Sequence, residues 1–193
     1  MRVLRPVCAV AFLALTAGPA LAQDRYATLD VRGGYTKPLG AASDSLHGQS
    51  SFGAGATIQL GSRIHLGLTA DWAHHSEEPV IGGPNDRQWN VLHSFVKLVF
   101  DVVSTDQFTV ALNAGPGLMV FSPNQVLKDA HGYNNTAHFA ANVGGTVTWW
   151  FAERIGLMGS VQADFAMKKS SSDIFSEGSA LMMPLTGGFR FKI

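Results

Sequence analysis

The residues best suited to chemistry in this chain are histidines and carboxylates, and they fall into two groups. One is compact: His74, His75, Glu77 and Glu78 sit together in the run His-His-Ser-Glu-Glu. Imidazoles and carboxylates at this spacing are the ligand types that zinc takes. His74 and Ser76 also form a His-x-Ser pair beside acids, the residue types of an activated hydroxyl nucleophile. The other group is dispersed: Asp30, Arg32, His65, Asp71, His93, Lys97, Asn113, His138, Gln162, Asp164 and Arg190. Such residues serve a site only if the fold brings them together, so the elements that carry them come first.

Those elements share one rhythm, an apolar residue at every second position, the mark of strands with two unlike faces. Eight such runs follow one another. Leu29, Val31 and Tyr35 alternate with Asp30 and Arg32. Phe52, Ile58 and Leu60 alternate with Gly53, Gly55 and Thr57. Ile64, Leu66, Leu68 and Trp72 alternate with His65 and Asp71. Leu92, Val96, Leu98 and Phe100 alternate with His93 and Lys97. The second half continues with Phe108 to Val120, Ala137 to Trp149, Ile155 to Met167 and Leu181 to Ile193. Every dispersed polar residue named above falls on the face opposite the apolar one.

The connectors alternate strictly in length. Gly61-Ser62-Arg63, Asp101 to Asp106 and Ala152-Glu153-Arg154 read as short turns. Lys37 to Ser50, His74 to Gln88, Ser122 to Thr136 and Lys169 to Ser179 read as polar loops of 11 to 15 residues. Short turns on one side, long loops on the other and an even strand number are the connectivity of a membrane β-barrel. The apolar face then points outward to lipid, and the small, polar face fills a narrow lumen. A secreted barrel or a two-sheet sandwich would bury the apolar face instead. Against both stand the aromatics near strand ends, which suit two membrane interfaces: Tyr35, Phe52, Trp72, Trp89, Phe139 and Phe165 towards the loops, and Phe100, Phe108, Trp149, Phe189 and Phe191 towards the turns.

Composition agrees with this reading. The 193 residues carry 14 basic and 14 acidic side chains, only 15% charged residues, and 21 glycines. That balance argues against disorder and against nucleic acid, which calls for a basic excess. The N-terminus reads as a secretory signal: Arg2 and Arg5, an apolar run from Val7 to Leu15, then Ala20-Leu21-Ala22. Removing residues 1–22 leaves residues 23–193 as one barrel domain, with Cys8 lost along with the signal. A disulfide or a lipidated cysteine is therefore not expected.

The signal peptide, the eight amphipathic strands and the closing segment Leu185-Thr-Gly-Gly-Phe-Arg-Phe-Lys-Ile193 resemble the OmpA/OmpX-like outer-membrane β-barrel family. The resemblance implies an all-β, eight-stranded, antiparallel up-and-down transmembrane barrel in the outer membrane of a Gram-negative cell. It also implies that Leu185, Gly187, Phe189, Phe191 and Ile193 form the signal read by the barrel-assembly machinery, although the commonest form of that signal ends in Phe. Implied partners are outer-membrane lipids and lipopolysaccharide, with periplasmic chaperones during biogenesis, and a monomer is expected. No cofactor, metal or nucleic acid enters.

The functional expectation is a non-enzymatic, porin-like protein of the cell envelope that holds four extracellular loops for surface contact or envelope integrity, with the inward charges as a paired polar network. One alternative is a narrow ion or small-solute channel. The other is a lipid-modifying enzyme, since the His-x-Ser pair with an acid is similar to that of outer-membrane lipid A deacylases.

Overall fold

The computed structural model describes residues 26–43, 46–76, 88–132, 134–167 and 179–193. Eight strands close into an antiparallel barrel in which each pairs with its chain neighbours and the last returns to the first. They are β1 (Ala27–Leu39), β2 (Gln49–Gln59), β3 (Ile64–Ser76), β4 (Gln88–Ser104), β5 (Phe108–Pro123), β6 (Thr136–Ala152), β7 (Ile155–Ala166) and β8 (Ala180–Lys192).

The register fixes the geometry. A walk around the barrel from Asp30 passes through Gly55, Thr69, Phe95, Gly117, Ala140, Ala166 and Ala180. Ala180 lies next to Leu181, which faces Leu39, so one circuit climbs ten residues along β1. Ten residues of stagger over eight strands incline the strands by about 40°. Each residue then rises about 2.5 Å along the axis, and the longest strands reach about 40 Å, well beyond an apolar band of roughly 25 Å.

Side chains obey the period-two pattern, with the large apolar ones outside. Leu98 is 56% exposed, Leu112 57%, Val161 54% and Phe139 75%. Burying such a face against lipid is what stabilises the sheet; in water it would form an apolar patch far larger than soluble monomers show. None of the described helices is long and apolar enough to cross a membrane. Inside, glycines let the inclined strands approach. A Cβ on Gly115 would strike the Val96 carbonyl, and one on Gly188 the Val31 carbonyl.

Three features depart from the sequence expectation. First, Trp89 is not a girdle residue: it is fully buried in the lumen. It shares the parity of Val91, His93 and Lys97, so the alternation of β4 turns it inward. Second, Asp101 belongs to β4 and not to a turn. The strand runs on to Ser104 past a bulge between Asp101 and Val103, and the carboxylate points inward. Third, the Ser122–Thr136 loop contains a helix, α1 (Gln125–His131). Asn124 caps it by accepting from the Leu127 amide at 3.1 Å, and Gly132 ends it in the left-handed conformation at φ 67°. The other ten girdle residues face outward.

Candidate functional site

The lumen holds the dispersed polar residues in stacked levels, each set by strand register. Asp30 faces Arg190 across the β1–β8 seam that closes the barrel. Arg190 Nη2 lies 3.7 Å from Asp30 Oδ2, and its Nη1 donates to Thr148 Oγ1 at 3.2 Å. Arg32 Nη1 donates to Asp30 Oδ1 at 2.7 Å. Its Nε and Nη2 grip both oxygens of Asp71, at 2.8 and 2.6 Å. The result is an alternating chain, Arg190–Asp30–Arg32–Asp71, drawn from three strands. A planar guanidinium on a carboxylate in this two-pronged form is the strong geometry for such a pair.

Glycine makes the room. Gly55 of β2 lies opposite Asp30, and a Cβ there would stand 2.7 Å from Asp30 Oδ2. Gly53 plays the same part beside Asp71.

A second cluster lies above the first. His93 Nδ1 bonds Asp164 Oδ2 at 2.7 Å, and Asn142 Nδ2 donates to the other Asp164 oxygen. Lys97 reaches Gln162 Oε1 at 3.4 Å and lies 5.5 Å from the Phe95 ring, while Gln162 Nε2 donates to Ser160 at 2.6 Å. Below the arginine chain, His65 Nε2 meets Asp101 Oδ2 at 2.9 Å. Four lumen carboxylates thus stand against Arg32, Lys97 and Arg190, and two of the four have a histidine against them. Buried charges persist only when matched in this way.

Both ends of the lumen are filled. At the turn end, Trp150 points inward, with its indole N–H on Thr109 Oγ1 at 3.0 Å and Lys192 Nζ 4.1 Å above its ring. A cavity of about 270 Å³ at this rim is lined by Tyr26, Glu153, Arg154, Lys192 and Ile193, and by none of the paired lumen residues. At the loop end the expectation of small, polar lumen residues gives way. Trp89, Val91, Met119, Phe121 and Met182 are fully buried there, and Leu46 and Leu127 join them from the loops. Trp89 and Phe121 stand three residues beyond the Trp72 and Phe139 girdle positions, while Met119 and Met182 stand level with Phe139 and Phe165. The upper part of this level rises out of the membrane and packs an interior of the soluble kind.

The two histidines of the compact group point to opposite faces of β3. His75 is inside and fully buried, with Nδ1 3.0 Å from the His47 carbonyl. His74 is on the outer face, edge-on to Trp72 at 6.3 Å between ring centroids. Ser76 Oγ accepts from Gln49 Nε2 at 2.8 Å. Glu77 and Glu78 lie outside the described residues, as does the signal segment. Among the described residues, no three metal-binding side chains converge. Asn113 and His138 are buried in the lumen. Asp101, Asn142 and the apolar upper level were not singled out from sequence, although the parity of β4 and β6 carries a signal for each.

The sequence matches no protein-family model and no curated protein. Its fold is well known among solved structures. Neisserial surface protein A superposes with a TM-score of 0.57 at 14% identity, covering 89% of this chain and 98% of that one. The N-terminal β-barrel domain of OprF from Pseudomonas aeruginosa gives 0.54 at 13% identity, over 88% and 98%. The attachment invasion locus protein of Yersinia pestis, solved with the heparin analogue sucrose octasulfate, gives 0.51 at 10% identity, over 86% and 97%. The chain has the fold of small bacterial outer-membrane barrels, the eight-stranded OmpA/OmpX-like type. An apolar belt on the outside and paired charges inside are what that fold requires.

Proposed function

We propose that the protein is a closed outer-membrane anchor, working without catalysis, that presents its four long connectors for surface contact or envelope integrity. The observation that carries this reading is the filled lumen: Trp150 and Lys192 at one end, the charge pairs in the middle, and the apolar level at the other. A barrel occupied along its length offers its loops and its lipid face for contact. The attachment invasion locus protein, named for surface contact, has the same fold. On this reading the belt meets outer-membrane lipids and lipopolysaccharide, the Leu185–Ile193 strand is read by the assembly machinery, and the protein is a monomer. Refolded protein in a planar bilayer at pH 7 should be electrically silent; steady channel openings would overturn the proposal.

A narrow ion path is the second reading. Its support is the set of buried polar atoms with no hydrogen-bond partner in the middle of the lumen: His93 Nε2, Asn113 Oδ1, Asn142 Oδ1 and Arg190 Nε. These would line a hydrated route if the charge pairs parted.

A further inference from the structure

The first long connector does not hang free at its base. Gly40–Ala42 form a single 3-10 turn, and the Leu46 amide bonds back to the Ala42 carbonyl at 2.9 Å. Ala42 and Leu46 are both buried over the barrel mouth. His47 then makes an isolated antiparallel bridge to Ser76, its amide donating to the Ser76 carbonyl at 2.8 Å. The reciprocal contact runs from His75, whose Nδ1–H donates to the His47 carbonyl. That bond fixes the tautomer and leaves Nε2 as a bare lone pair, fully buried and without a partner. An imidazole so placed closes the loop only while neutral, because a proton on Nε2 would put a charge where no described residue receives it.

We propose that His75 is an acid-released latch holding residues 46–48 against the extracellular mouth of the barrel. The latch regulates the loops of the closed anchor and rests on that reading of the mouth as shut.

Among the described residues, the groups around the latch do not offer a counter-charge. The loop brings His47, and β3 itself brings His74. From β4, His93 acts on it from below, while Trp89 is its register partner. β2 brings Gln49, which is uncharged and bonded to Ser76. Farther off, His138 of β6 is bound to the Met167 carbonyl, and Asp129 of α1 is exposed and bonded to Gln125. Among the described residues, no carboxylate acts on His75; Glu77 and Glu78 follow it outside them.

The membrane-crossing part of β3 ends at its girdle residue Trp72, and His75 stands about 7 Å above that residue. Burial pushes its pKa from 6.5 down to about 4, against the pull of the His47 carbonyl and with help from His93 and His74. Once the segment lifts, His75 regains its ordinary value of 6.5. The open form therefore takes up the proton below about pH 6.5, and the closed form only below about 4. Closure is complete at neutral pH and weakens as the pH falls through that window, by about 10²-fold in the open-to-closed ratio at pH 4.

The test is hydrogen exchange on the refolded full-length barrel, followed by mass spectrometry and corrected for intrinsic rates. Protection of the Leu46 and His47 amides should fall by about 10²-fold between pH 7 and pH 4 in the wild type, and by little in His75→Gln. Equal protection at both pH values, or the same fall in the variant, would overturn the latch. If His75→Gln does not fold, an NMR titration of the wild-type imidazole decides instead. A midpoint near 4, shared with the loop amides, supports the latch; titration near 6.5 without loop change overturns it. Channel openings at pH 7 would instead overturn the closed anchor, so the two failures can be told apart.

Discussion

Replacing Asp71 by Ala removes one end of the lumen chain and probes what holds the barrel's interior together. Arg32 would lose two charge-assisted hydrogen bonds, at 2.8 and 2.6 Å, and keep only Asp30, which it already shares with Arg190. Arg32 and Asp71 side chains are 7% and 12% exposed, so water does little to replace the lost partner. Two unit charges about 4 Å apart interact by about 4 kcal/mol at an effective dielectric of 20. Breaking a buried pair from one side typically costs about 3–5 kcal/mol. Asp71→Ala should therefore lose about 3–5 kcal/mol in urea unfolding from lipid vesicles, followed by the gel shift between folded and boiled barrel. The double variant Arg32→Met/Asp71→Leu removes both charges and should recover most of that loss, since apolar replacements of buried pairs are often neutral. A single-variant loss below about 1 kcal/mol, the range of exposed pairs, would refute this reasoning. So would a double variant no better than the single.

Other consequences follow from the same geometry. Gly55→Val places a branched side chain against the Asp30 carboxylate and should destabilise the barrel by more than about 2 kcal/mol, measured the same way. Leu127→Ala empties part of the mouth filled by α1; about 2–4 kcal/mol should be lost, with faster proteolysis of the 124–132 segment. Leu98→Arg sets a charge near the middle of the lipid face and should cost about 2–4 kcal/mol, whereas Lys37→Arg beyond the girdle should cost nearly nothing.

Much of the architecture could be read from alternation alone, because a barrel between lipid and a narrow lumen sorts side chains by parity. That rule placed Asp30, Arg32, His65, Asp71, His93, Lys97, Asn113, Asp164 and Arg190 inside before any coordinates. Applied strictly, it also turns Trp89 inward, and only its position near a strand end suggested a girdle. Asp101 was hidden because Asp and Ser near a strand end resemble a turn, while the bulge beyond it lets β4 continue. Of the lumen charges, only the approach of Arg190 to Asp30 or Arg32 was legible, because the first and last strands must pair to close the barrel; the other meetings were not. Arg32 reaches Asp71 and His93 reaches Asp164 because of the ten-residue stagger, a property of the closed sheet and not of any one strand. Nor does parity tell how far a strand rises past the membrane, so the buried level of Trp89, Phe121 and Met119 came only from the structure.

The account stands or falls on which face of the sheet meets lipid. Single-tryptophan variants refolded in vesicles of brominated phospholipid test it directly, since bromine quenches only an indole within reach of the acyl chains. Trp149 on the outer face should be strongly quenched, and Trp89 and Trp150 inside the lumen should keep their emission. Quenching of Trp150 with Trp149 left bright would mean that the sheet is folded the other way out, and would contradict the account.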